Sequence, residues 1–188
     1  PHSWGRECHI RQKGVFRLSV VQADMPYKIT LKDFEHMRYR YKKMENGERA
    51  EIRRAPSPEC LVGTRPFYSL LPKIFLEDDD FRQRYIGQTA RFVFLLPLLE
   101  DCEGKYPLGT YLAMGEVSDM RIMQLRKTNP ADTAMVSLYR IIEIASKKKP
   151  LSFLSFGKTS NAVFYWGENE KRHLLGDFWA KQAQIKLN

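Results

Sequence analysis

The chain has 188 residues, with 31 Lys+Arg against 22 Asp+Glu and a formal net charge of +9. With 43% hydrophobic and 28% charged residues it has an ordinary globular composition and enough length for a real core. A basic excess of this size is the footprint expected of a nucleic-acid partner, although a solvated basic surface without a partner gives the same count.

Residues 1–24 read as an N-terminal extension, separate from a helical domain over 25–188. Val15, Phe16, Leu18, Val20 and Val21 have strand-like composition, broken by Gly14. Thr30 starts a helix, with Asp33 in a capping-box position. Phe34, Met37, Tyr41 and Met44 fall on one face with Leu31, and Arg38, Arg40, Lys42 and Lys43 cover the others. Asn46-Gly47 is expected to end that helix. A short helix follows over 48–55 and stops before Pro56 and Pro58. Arg53 and Arg54 then sit at its C-terminus, where cations are favoured. The run from Arg65 to Pro72 reads as a brief buried helix with Phe67, Tyr68, Leu70 and Leu71 as core.

Asp78, Asp79 and Asp80 precede a long helix over about 80–96. Adjacent carboxylates do not converge on a metal, so capping accounts for them better. Arg84, Gln88 and Arg91 share one polar row on that helix. Residues 100–107 form a loop, and a short helix follows that breaks at Gly115. Two helices then lie within Ser118–Arg140 and beyond. On the first, Arg121, Gln124 and Lys127 recur every three residues and share a polar row. Asn129 is expected to cap the second, with Pro130 at its first position and Asp132 near the positive end of its dipole. Its apolar stripe is Ala134, Met135, Leu138, Ile141, Ile142 and Ala145, and Arg140 projects from the other side. Lys147, Lys148 and Lys149 close it. Thr159, Ser160 or Asn161 caps a helix carrying Val163 to Trp166. A last helix over 169–184 buries Leu174, Leu175, Phe178 and Trp179 and exposes Lys171, Arg172 and Lys181. The fold class expected is all-α, a compact multi-helix bundle.

No catalytic grouping stands out. GxSxG, HExxH and P-loop motifs are absent. His2, His9, His36 and His173 have no partner carboxylate at motif spacing. Cys8, Cys60 and Cys102 offer neither a zinc set nor a disulfide framework, which argues for a reducing compartment. The most apolar run, residues 92–99, is far too short to cross a membrane, and no signal core is evident, so a cytoplasmic location is expected. No cofactor is implied, and the chain reads as a non-enzyme.

Three segments carry a family resemblance. NGERAEIRRAPSPECLVGTRPFYSLLP (46–72) resembles the opening of the small subunit of type I-E Cascade, the CasB family. LGTYLA…MRIMQLRK…MVSLYRII resembles its central part. VFYWGENEKRHLLGDFW (163–179) resembles its Trp-Gly segment and the basic helix after it. The resemblance covers residues 30–182 in the right order. It implies a non-catalytic all-helical subunit of a CRISPR surveillance complex, present as two head-to-tail copies beside the crRNA-bound backbone subunits and the large subunit. Basic surfaces would hold the target DNA strand and the displaced strand and so stabilise the R-loop, while guide pairing reads the sequence. By motif position, Arg53, Arg54, Arg84, Arg121, Lys127 and Arg140 match basic positions of the family. After Trp-Gly this chain has Glu168 and Asn169, and basic residues resume only at Lys171 and Arg172. Two other readings compete: a free-standing basic helical regulator binding DNA or RNA, with 119–127 as its candidate recognition helix, and a metal-dependent nuclease.

Overall fold

The computed structural model describes residues 28–187. The expected N-terminal extension, with Cys8, His2 and His9, lies outside the described residues. Among the described residues the elements are helices, linked by turns and one 3-10 turn at Leu151–Phe153. The all-α expectation holds.

Helix α1 (Leu31–Lys43) begins as its sequence dictates. The Asp33 carboxylate accepts from both the backbone N–H and the hydroxyl of Thr30, each at 2.8 Å. Phe34, Met37 and Tyr41 are buried, whereas Leu31 is largely exposed. Asn46-Gly47 does not end this helix. It forms the first turn of α2 (Asn46–Arg54), because Met44 in an extended conformation has already closed α1. Pro58 and Pro66 each sit in the first turn of a very short helix, α3 (Pro58–Leu61) and α4 (Arg65–Leu70). Tyr68, expected in the core, is 38% exposed, since its neighbours Phe67 and Leu70 already face inward. A further one-turn helix, α5 (Ile74–Glu77), precedes the long one.

Helix α6 (Asp79–Leu99) is the axis of the fold. At 1.5 Å per residue its 21 residues span about 31 Å. Asp78 caps it, accepting from the Phe81 N–H at 2.8 Å, and Asp79 pairs with Arg82. The three acids are therefore a helix start. The helix runs through Pro97 to Leu99, past the expected end. Pro97 lies in the last turn, where one lost hydrogen bond is outweighed by burying Leu95, Leu96 and Leu99, at about 1.5–3 kcal/mol each. Helices α2, α3 and α5 pack against α6.

The chain continues with α7 (Leu108–Met114), α8 (Asp119–Lys127), α9 (Ala131–Ser146), α10 (Phe156–Phe164) and α11 (Glu168–Leu187). Helices α9 and α10 cover the rest of α6, and α7 crosses α11 and also touches α9. Two glycines permit the α7 crossings. A Cβ on Gly109 would lie 2.1 Å from the Leu174 carbonyl oxygen, and one on Gly115 would lie 2.5 Å from the Ala145 Cβ. The whole predicted stripe of α9 is buried. Helix α10 starts earlier than expected. Ser155 is its cap, accepting from the Lys158 N–H at 3.5 Å, and Thr159 and Ser160 are buried inside it. On α11, Trp179 is 38% exposed rather than core, while Leu174 and Phe178 are buried.

The cysteines differ sharply. Cys60 is exposed and Cys102 is buried, and burial pushes the Cys102 thiol up to about 12. The thiolate is the reactive form. Iodoacetamide at pH 8 is expected to alkylate Cys60 and spare Cys102 in the folded protein, with both labelled in guanidinium. Equal labelling of the two in the native state, read by peptide mass mapping, would contradict the burial.

Candidate nucleic-acid interface

Much of the basic surplus is tied down inside the fold. Arg38 donates to the Cys102 carbonyl at 3.1 Å and lies over the Phe156 ring, 4.2 Å from its centroid. Arg40 donates to the carbonyls of Ser69 and Leu71 at 3.1 and 2.8 Å. Arg49 pairs with Glu100 at 2.6 Å, with both side chains mostly buried. Arg91, expected on an open polar row, instead pairs with Asp132 at 2.7 Å. That contact joins α6 to the start of α9, so Asp132 serves a neighbouring arginine as well as its own helix dipole. These guanidiniums are structural fasteners.

A second set of cations is exposed and makes no ion pair among the described residues. Arg121, Gln124 and Lys127 are all exposed along α8, as their spacing predicts, while Ile122 and Leu125 face the core. Arg126, which falls between the polar rows in sequence, is exposed beside them. Ser118 occupies the cap position of α8 without a side-chain cap bond. Arg84 is exposed on α6.

Arg53 and Arg140 come from distant parts of the chain and line one cleft of about 340 Å³. Arg53 stands at the end of α2, donating weakly to the Arg49 carbonyl at 3.4 Å, and Arg140 is exposed on α9. Tyr139, Pro56 and Phe94 wall the cleft, and Glu143 shares its rim. Burial, then the Glu143 carboxylate, push the Tyr139 phenol above its usual range, so this wall stays neutral at physiological pH. Arg54, adjacent in sequence, turns to a separate cleft with Gly47, Glu51 and Cys60. The tandem arginines therefore serve two surfaces.

Lys171 is a correction. It was expected on the exposed face of the last helix, yet it is 4% exposed. Its ammonium donates to Asn129 Oδ1 at 3.1 Å, Glu168 Oε1 at 3.2 Å and the Thr128 carbonyl at 3.5 Å. Asn129 is accordingly engaged by a lysine, and Pro130 takes the cap position of α9. About three turns further along α11, Gln182 donates to Asp119 Oδ1 at 2.9 Å. Early α11 thus meets the end of α8 and late α11 meets its start. The two helices run antiparallel, and α8 is tethered at both ends. Arg172, next to Lys171, is exposed.

Among the described residues no three of His, Cys, Asp or Glu approach one another closely enough to hold a metal ion. No described helix is long and apolar enough to cross a membrane.

No family model matches the sequence, and no curated protein matches it. A solved structure does. A chain of E. coli Cascade, in a crystal structure of that complex bound to a PAM-containing dsDNA target, matches with a TM-score of 0.65 and 24% identity, over 79% of this chain and 95% of that one. The two chains share a fold. The part left uncovered is on this chain's side, since nearly all of the Cascade chain has a counterpart here.

Proposed function

We propose that this chain is the small subunit of a Cascade-type CRISPR surveillance complex, a CasB-like protein that grips nucleic-acid backbone without cleaving it. The observation that carries the reading is the helical fold shared with a chain of E. coli Cascade along almost all of that chain. The distribution of cations supports it. Exposed Arg121 and Lys127 on a tethered helix, with Arg53 and Arg140 at one cleft, make a rigid and sequence-indifferent phosphate surface. Arg84 and Arg172 extend it, and Arg54 offers a further cation at its separate cleft. Lys171 does not belong to this surface. Partners would be crRNA-bound backbone subunits, the large subunit, a second copy of this chain, and the target and displaced DNA strands, with the R-loop as the species stabilised.

The test is reconstitution. The chain is expected to co-purify with the other subunits and guide RNA, and its omission to weaken target-DNA binding. The triple substitution Arg121→Ala, Lys127→Ala, Arg140→Ala should leave folding intact and lower the log-log salt slope of target binding by roughly 2–3, about 0.7–0.9 for each lost phosphate contact. An unchanged slope would remove these residues from the interface. A lone chain that shifts one defined duplex by sequence would point to a free-standing regulator instead.

A further inference from the structure

We propose that Tyr106 and Phe153, where the 100–107 loop meets the turn between α9 and α10, form a stacking platform for unpaired bases of a single-stranded nucleic acid. Neither ring belongs to the cationic surface described above, and the inference does not rest on that reading. The two rings lie nearly parallel, with an interplanar angle of 12° and centroids 6.4 Å apart. Phe153 is 38% exposed, although phenylalanine is ordinarily a core residue, and Tyr106 is half-buried. Each ring carries a cation. Lys149 Nζ lies 3.9 Å from the Phe153 centroid, and Lys105 Nζ lies 5.6 Å from the Tyr106 centroid.

Backbone contacts hold the two segments together. The Gly104 and Ser155 N–H groups donate to the carbonyls of Leu154 and Tyr106 at 2.9 Å, and the Tyr106 N–H donates to the Phe153 carbonyl at 3.3 Å. A Cβ on Gly104 would collide with the Phe153 backbone, so the segments approach as closely as glycine alone permits. From α7, the Tyr111 hydroxyl donates to the Lys149 carbonyl at 2.7 Å and anchors the turn. A ligand therefore meets a pre-organised pair of rings. The surroundings are basic. Lys147 and Lys148 are exposed beside Lys149, Lys148 in an open ion pair with Glu116. Of the acids in the two segments, Glu100 and Asp101 pair with Arg49 and Lys42, which leaves Glu103 against the four lysines.

Single strands are held by cations that follow the phosphates and by aromatic faces on which the bases stack. Both parts stand here within contact distance of each other. The lysines over the rings do not close the platform. An exposed cation–π contact is weaker than a base stacked on an aromatic ring, and a displaced ammonium on its flexible stem can turn to a phosphate. A duplex keeps its bases stacked on one another and so leaves the rings unused. An acidic peptide would satisfy the lysines but not the ring faces. The platform is hard to see in the sequence, because Lys147 to Lys149 read as a helix ending and the two rings come from separate segments.

The experiment uses the full chain and three fluorescently labelled octamers of equal charge: oligothymidine, oligouridine and an abasic strand. By anisotropy, the thymidine and uridine octamers are expected to bind about fivefold or more tightly than the abasic one. Phe153→Leu should weaken thymidine binding about fivefold or more and leave abasic binding unchanged. On the unaltered chain, a thymidine octamer carrying 5-iodouracil should crosslink under ultraviolet light to Tyr106 or Phe153, read by peptide mass mapping. Equal affinity for thymidine and uridine upholds a platform that reads base and phosphate alone, and a difference upholds it while naming the preferred strand. The proposal is overturned if the abasic octamer binds as tightly, if Phe153→Leu leaves thymidine affinity unchanged, or if the crosslinks avoid both rings. Crosslinking needs only the unaltered protein, so it decides the matter even if the variant folds poorly.

Discussion

Gly109→Ala is expected to lower the melting temperature by roughly 6–12 °C, corresponding to about 3 kcal/mol. The added methyl would sit 2.1 Å from the Leu174 carbonyl oxygen and 2.9 Å from the Asp177 Cβ. A flexible side chain could turn aside from such a contact, but a backbone carbonyl inside a helix cannot without moving the helix. Since α7 packs along α11, the strain passes into the pair as a whole. Gly87→Ala supplies the opposite control. Gly87 lies inside α6, and a Cβ added there would meet nothing within 4 Å beyond its own helix backbone, so alanine there should stabilise by about 0.5–1 kcal/mol through backbone entropy. Calorimetry on the two variants reads both signs, and a neutral Gly109→Ala would mean that the α7–α11 crossing is looser than described.

The second large effect is Lys171→Met, with an expected loss of about 2 kcal/mol. Methionine can fill the space of the stem but leaves Asn129 Oδ1 and the Thr128 carbonyl without their donor. The ion pair with Glu168 adds little, because that carboxylate side chain is 67% exposed. The informative readout is salt dependence in the reconstituted complex. As a fastener of the α8–α9 turn, Lys171 should alter target affinity by loosening Lys127 and its neighbours while leaving the slope intact. A slope reduced by roughly 0.7–0.9 would instead mean that Lys171 touches phosphate itself.

The helical period was plainly readable in the sequence, and so were the inward faces of α1, α8 and α9. Capping at Thr30 followed from local chemistry alone. Asn129 and Pro97 carry strong local signals that tertiary contacts overrode, whereas Asn46-Gly47 was pre-empted locally, by Met44 closing α1 two residues earlier. The site was legible in a similar measure. Spacing exposed the α8 row, but it could not separate free cations from fastened ones. Arg91 and Lys171 look like surface residues until Asp132 and Asn129 arrive from elsewhere in the chain. The shared cleft of Arg53 and Arg140 likewise depends on two helices far apart in sequence.

Arg40 has a consequence for how the molecule can be divided. Its two acceptors, Ser69 and Leu71, carry the last carbonyls of α4, a helix of six residues. A helix that short cannot persist alone, and its C-terminal carbonyls have no partners of their own. The arginine of α1 terminates it from outside. Helix α1 and α4 should therefore open and close as one cooperative unit. A fragment cut to begin after α1 would lose the closing bonds of α4 together with the packing of α1 against it, so the smallest autonomous piece of this protein must start at or before Thr30.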